Sequence, residues 1–166
     1  MTEDARAVER HVLAAVEATG EPFEVIEIDP DLADTAAFCQ HYGYPPETSG
    51  NCILVASKDD PPVVAACLAL ATTKLDVNKR VRKLLGVRKL SFAPAEVTRE
   101  VTGMEIGGVT PFGLPRDLVL YLDARIEGLD RIIVGGGSRS LKLAVAPAAL
   151  LAVGGILTED LALPLA

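Results

Sequence analysis

The chain lacks most of the residues from which catalytic machinery is commonly read. It has no tryptophan, three tyrosines, four phenylalanines and two histidines in 166 residues. No HExxH, GxSxG or GxxxxGK[ST] occurs. That leaves no signature of a zinc protease, a nucleophile-elbow hydrolase or a P-loop. Its three cysteines, Cys39, Cys52 and Cys67, are odd in number and form no CxxC. They support neither a disulfide framework nor a zinc site, and reduced thiols of a cytoplasmic protein are the expectation. No metal and no cofactor is expected. No apolar run reaches the roughly 18 residues of a bilayer-spanning helix, so no membrane partner is expected. The N-terminal MTEDARAVERH has no apolar signal core.

What the chain has is aliphatic. Apolar residues make up 49% of it, mostly Ala, Val, Leu and Ile. A single domain over residues 1–166 is the simplest reading. The net charge of −7 argues against indiscriminate nucleic-acid binding, which runs on phosphate neutralisation. The charge is uneven, however. Residues 1–34 are acidic, whereas KLDVNKRVRKLLGVRK (74–89) carries seven cations against one Asp. That segment reads equally as a solvated helix face or as a docking patch for a polyanion.

Periodicity and punctuation give about seven strands and five helices. Val8, Val12, Leu13 and Val16 share one face of a helix over 4–18, stopped at Gly20. FEVIEID (23–29) alternates as a strand, and Asp34 starts a helix to Tyr42. CILVAS (52–57) and PVVAACLAL (62–70) form a hairpin through KDDP. Val77, Val81, Leu84 and Leu85 are spaced as a helix ending at Gly86. LSFA is a short strand, and PAEVTREVTG (94–103) is a short helix. LVLYLDA (118–124), RIIVGGG (131–137) and LKLAVA (141–146) are strands, and PAALLAV is the last helix. The fold class is α/β in the mixed α+β sense.

Two stretches interrupt this order, GGVTPFGLP (107–115) and GGGSRS (135–140). Consecutive glycine-rich amides can form an anion-binding nest or an oxyanion hole. They can equally be plain turns, and composition does not decide. His11 and His41 read as surface residues, and Cys52 and Cys67 as core.

The order of SGNCILVA, a hairpin, a basic segment ending LLG, PAEVTREVTG, GGVTPFGLP, LVLYLDA and IIVGGGSRSLKLAVAPAALL resembles the YbaK/ProX family. These aminoacyl-tRNA-editing domains are related to the editing insertion of bacterial prolyl-tRNA synthetase. The resemblance covers residues 22–155. It implies a small, mixed, β-barrel-like sheet wrapped by helices, and hydrolysis of the ester that links a wrong small amino acid, such as Ala or Cys, to tRNA. The partners it implies are the acceptor end of aminoacyl-tRNA and, secondarily, an aminoacyl-tRNA synthetase. It sets the substrate between the two glycine loops. Gly107, Gly108, Thr110, Gly136, Gly137 and Ser138 would be the catalytic set with Asn51. Pro111, Phe112, Arg139 and Cys39 would contact substrate. Lys74, Lys79, Arg80, Arg82 and Lys83 would dock the acceptor stem. Ala66, Ala69 and the glycine loops point to a small side chain.

One position departs from the family. Where relatives carry a lysine, at the start of the strand after the second helix, this chain has Asn51. A neutral amide makes hydrogen bonds about half as strong as charged ones. A second reading therefore stands beside the deacylase: a catalytically weakened module that binds aminoacyl-adenosine-like ligands. A third is a protein–protein partner that uses the acidic first helix.

Overall fold

The computed structural model describes residues 2–165. The chain runs α1 (Glu3–Glu17), β1 (Phe23–Glu27), α2 (Thr35–Tyr42), β2 (Gly50–Ser57), β3 (Val64–Leu70) and β4 (Thr73–Leu75). A wide helical turn, Val77–Val81, leads into α3 (Arg82–Leu85). Then come β5 (Leu90–Phe92), α4 (Ala95–Thr102), β6 (Val119–Asp123), β7 (Ile132–Gly135), β8 (Leu141–Val145) and α5 (Pro147–Ala152). Two short strands, β9 (Ile156–Thr158) and β10 (Ala162–Pro164), close the chain.

The strands form three sheets, ordered β5-β2-β3-β6-β9, β1-β8-β7 and β10-β4. The β2–β3 hairpin is antiparallel, with Ile53 opposite Cys67, whereas β6 runs parallel to β3 and β9 parallel to β6. The architecture is mixed α/β as expected, but the described strands close no barrel. The five-stranded sheet ends openly at β5 and β9.

Alternation along the strands assigns the two faces of the large sheet. Leu54, Ala66, Leu68, Leu120 and Leu122 pack with Val12 and Val16 of α1 and with Ile132 and Leu143 of the smaller sheet. On the other face, Val55, Ala65, Cys67 and Ala69 meet Val77, Val81, Leu90 and Leu161. The basic segment is thus anchored by its valines and turns its cations outward. A third cluster puts Phe38 of α2 on Ile133 and Ala144, the outer face of β7 and β8.

Helix α1 starts where the Thr2 side chain accepts from the Ala5 N–H at 3.1 Å. It lies across both glycine loops. The Ser138 hydroxyl donates to Glu9 Oε2 at 3.0 Å in a buried contact, and His11 Nε2 bonds the Gly113 carbonyl at 3.2 Å. The loops also bind each other. Gly137 N–H donates to Gly108 O at 2.7 Å and Glu105 N–H to Gly137 O at 3.3 Å, while Gly108 N–H closes a local turn onto Glu105 O at 2.8 Å. A Cβ on Gly108 would run into the Ser138 main chain, and one on Gly135 into the carbonyls of Val109 and Gly108. Glycine is required there because two backbones touch.

Gly108→Ala should therefore act as an overpacking substitution, costing about 3 kcal/mol or more and lowering Tm by roughly 6–12 °C for a chain of this length. Gly86→Ala, at a positive φ with open space around it, should cost only about 1 kcal/mol. Differential scanning calorimetry of both variants checks this. Equal Tm values would contradict the contact.

Candidate active site

A cleft of about 420 Å³ opens between the two sheets. Its walls are the start of α2 (Asp34 and Thr35), the first half of β2, the β5–α4 junction, the loop from Ile106 to Val109, and Gly135 with Lys142 of the smaller sheet. Two exposed apolar side chains, Phe92 at 54% and Ile106 at 48%, stand among the lining residues.

The β2 wall is an unfinished sheet edge. Strand β5 pairs only with Val55–Ser57, and the last bond on that side runs from Ala93 N–H to Leu54 O at 2.9 Å. Pairing with β3 uses the odd-numbered residues, as Ser57 N–H to Val63 O at 2.9 Å fixes. The Cys52 N–H and C=O consequently point away from β3, past the end of β5, into the cleft. On the opposite wall, the N–H groups of Gly107 and Val109 have no acceptor among the described residues. Asn51 lines the cleft next to Cys52 on β2. The Thr35 hydroxyl donates to its Oδ1 at 2.6 Å, which fixes the amide and leaves its N–H pair for a ligand.

Of the residues implied by the resemblance, Asn51 and Gly107 line this cleft. Gly108, Gly136, Gly137 and Ser138 do not. Gly137 gives its N–H to the other loop, Gly108 spends its own on a local turn to Glu105 O, and Ser138 lies under α1. Thr110 is fully buried, its hydroxyl without a partner, and Phe112 fills the main core beside Pro111, which is itself buried. Cys39 lies in the α2 interface, with Sγ 3.5 Å from Ser49 Oγ. Ala66 and Ala69 are inside the large sheet.

Arg139 buckles three segments at the rim. Its Nε donates to Pro30 O and its Nη1 to Ile106 O, both at 3.1 Å, and Nη1 is 3.6 Å from Asp34 Oδ1. Of the basic segment, Lys74, Lys79 and Lys83 are exposed. Arg80 and Arg82 are half-buried and donate to main-chain carbonyls, Arg80 to Glu159 O and Arg82 to Asn78 O.

Titration limits what the cleft can do. Burial pushes the Cys52 thiol far above its ordinary value, with neighbouring Cys67 adding to the effect, and burial alone pushes Cys67 up to about 12. Neither is a thiolate near neutrality, so neither is an activated nucleophile. Lys142 is the one basic side chain among the lining residues. It is 6% exposed, its Nζ sits 5.4 Å from the Phe38 ring centroid, and it makes no hydrogen bond or ion pair among the described residues. Sequence reasoning gave it no role. In LKLAV it reads as the polar, outward position of a strand, and only α2 folding over that face reveals it as enclosed. Among the described residues, no group of three or more His, Cys, Asp or Glu side chains stands close enough to hold a metal. No described helix is long and apolar enough to cross a membrane.

Comparison with known proteins places the fold and the family. The chain is similar to a crystal structure of a proposed trans-editing enzyme for prolyl-tRNA synthetase, at TM-score 0.80 and 24% identity over 100% of this chain and 99% of the other. It is also similar to the crystal structure of hypothetical protein APE2540, at TM-score 0.80 and 22% identity over 92% and 99%. These likenesses establish the fold. In sequence, it is 37% identical over 84 residues to the uncharacterized protein YwhH of Bacillus subtilis (strain 168). That stretch is 51% of this chain and 52% of the relative, so the chain spans about half the length of the curated relative it matches. The model of the aminoacyl-tRNA editing domain matches residues 29–153, from the start of the first wall of the cleft to the end of the last helix, and the chain belongs to that family.

Proposed function

We propose that this chain is a deacylase that hydrolyses the ester of a mischarged small amino acid, such as alanine or cysteine, on tRNA. The observation that carries the reading is the cleft itself, in which main-chain N–H groups without protein acceptors line two facing walls. Such donors stabilise a developing oxyanion without a nucleophilic side chain. The acyl group would lie between Cys52 N–H and the Gly107–Val109 strip, with the Asn51 amide as a further donor. A water, or a hydroxyl or thiol of the substrate, would attack the carbonyl.

The acceptor end would approach over Phe92, whose exposed ring offers a stacking face to the terminal base. Strand β5 leads from Phe92 back to Arg88 and Lys89, which with Lys58 form a cationic cluster on the same sheet edge. Lys74, Lys79 and Lys83 extend the exposed positive charge. A role for Arg80 and Arg82 would be indirect, through the carbonyls they hold.

The direct test is deacylation of tRNA-Pro charged with Ala, Cys, Ser or Pro. Hydrolysis of a mischarged small amino acid with Pro spared is expected. No hydrolysis of any member by folded protein would turn the reading to the ligand-binding module. Asn51→Lys separates the same two readings. In a working site it should lower kcat, because it removes the Thr35-held amide and adds a second cation beside Lys142. A gain of orders of magnitude would mark the wild type as a weakened binder. Cys52→Ala should keep kcat within a few-fold, since its thiol is protonated near neutrality. A loss above 100-fold would make Cys52 a nucleophile after all.

A further inference from the structure

A buried cation normally has a partner. Taking an ammonium out of water costs several kcal/mol unless a carboxylate or hydrogen-bond acceptors replace the solvent. Lys142 is 94% buried and has neither among the described residues. Asp34, the nearest wall carboxylate, faces Arg139 instead, at 3.6 Å. What Lys142 has is the Phe38 ring, which holds the ammonium in place but supplies no acceptor. Lys142 also lines the cleft.

We propose that Lys142 is the catalytic cation of the cleft, donating from its ammonium to the carbonyl oxygen of the substrate ester. This rests on the ester-hydrolysis reading above. Water oxygen bonds to the acyl carbon as the carbonyl π pair moves onto oxygen, and the Lys142 ammonium faces the resulting oxyanion. As that pair returns, the bond from acyl carbon to ribose oxygen breaks. The ribose oxygen takes the proton that the water gives up, leaving a free amino acid and a free ribose hydroxyl. Lys142 stays charged throughout.

Lys142 has a lowered pKa. Burial is the main cause and Arg139 adds to it, whereas Cys39 and Asp34 oppose it. These are the titratable groups that face it, from α2 and from the loop before β8. Since the charged form does the work, kcat should fall as pH rises through that lowered pKa. A lysine acting as a general base would give the opposite slope.

The experiment compares wild type, Lys142→Met and Lys142→Arg on two substrates, alanyl-tRNA and 3′-O-alanyladenosine, the second of which has no phosphate. It adds binding of a non-hydrolysable 3′-alanylamido-adenosine by calorimetry. Lys142→Met keeps the apolar stem on Phe38 and should fold with an unchanged or higher Tm. Its kcat should drop about 100- to 1,000-fold on both substrates, with KM and the analogue Kd raised only a few-fold. Lys142→Arg should keep part of the rate and move the alkaline limb to higher pH. Unchanged kcat in Lys142→Met overturns the proposal, and so does a lower Tm as its only effect. A loss seen only as higher KM for the tRNA makes Lys142 a phosphate contact and overturns it too. If wild type cleaves neither substrate, the deacylase reading fails. Weaker analogue binding by Lys142→Met then still supports the contact to the acyl group, and equal or absent binding overturns it.

Discussion

The closest contact between the two glycine loops is main chain on main chain, and the wall of the cleft depends on it. Gly137 N–H reaches Gly108 O at 2.7 Å, with no side chain between the strands of backbone. That bond joins the end of β7, in the smaller sheet, to the segment that leads into β6 of the larger one. Helix α1 seals the joint from outside through the buried Ser138–Glu9 bond. The two sheets are otherwise linked by a single parallel bridge, Ser49 to Ile133, so the joint helps to fix their separation, and the space between their edges is the cleft.

The same joint divides the amides of the loops into two sets. Those of Gly137 and Glu105 build the contact, and that of Gly108 closes the turn beside it. Those of Gly107 and Val109 are left facing the cavity. Along Gly107–Val109 the two N–H groups without a protein acceptor flank the one, on Gly108, that closes the turn onto Glu105 O. Arg139 extends this order to the rim. With both nitrogens engaged by carbonyls of separate segments, it acts as a fixed strut that positions Asp34 and Ile106.

How much of this was legible in the sequence depended on the range of the interaction. Helix α1, the β2–β3 hairpin and the stops at Gly43, Gly86 and Gly103 were legible because periodicity and turn chemistry are local. Strands β4, β9 and β10 were not. Three residues hold little alternation, and unlike LSF of β5 these strands lack a clear stop signal on both sides, while Pro164 reads as a breaker. The open sheet in place of a barrel-like one follows from β6 and β9 joining in parallel, a long-range choice. The second glycine loop had the composition of a ligand nest, yet its glycines answer to Val8, Val12 and Leu141. Glu9 and Lys142 sit at positions that local alternation assigns to solvent. Each is buried because a separate element folds over it, and no window of sequence contains that fact.

A cleft equipped with donors and one cation, but no activated nucleophile, is matched to a narrow class of bonds. Amide cleavage requires a proton delivered to a poor leaving group, and none of the lining residues is a histidine. An aminoacyl ester needs less. Its carbonyl is not deactivated by amide resonance, its ammonium substituent withdraws electrons, and its leaving oxygen departs from a ribose that carries a neighbouring hydroxyl. Charge stabilisation by preorganised donors, worth about 3–4 kcal/mol each, then lowers the barrier without covalent participation. For the reaction proposed, the donors must not reorganise as charge appears, a demand that main-chain groups held by the sheet and by the joint between the loops would meet. The same demand places a cation on a buried ring rather than on a free surface stem. A lysine at the mouth would have to leave water at the moment of reaction, whereas Lys142 has already lost its water when the chain folds.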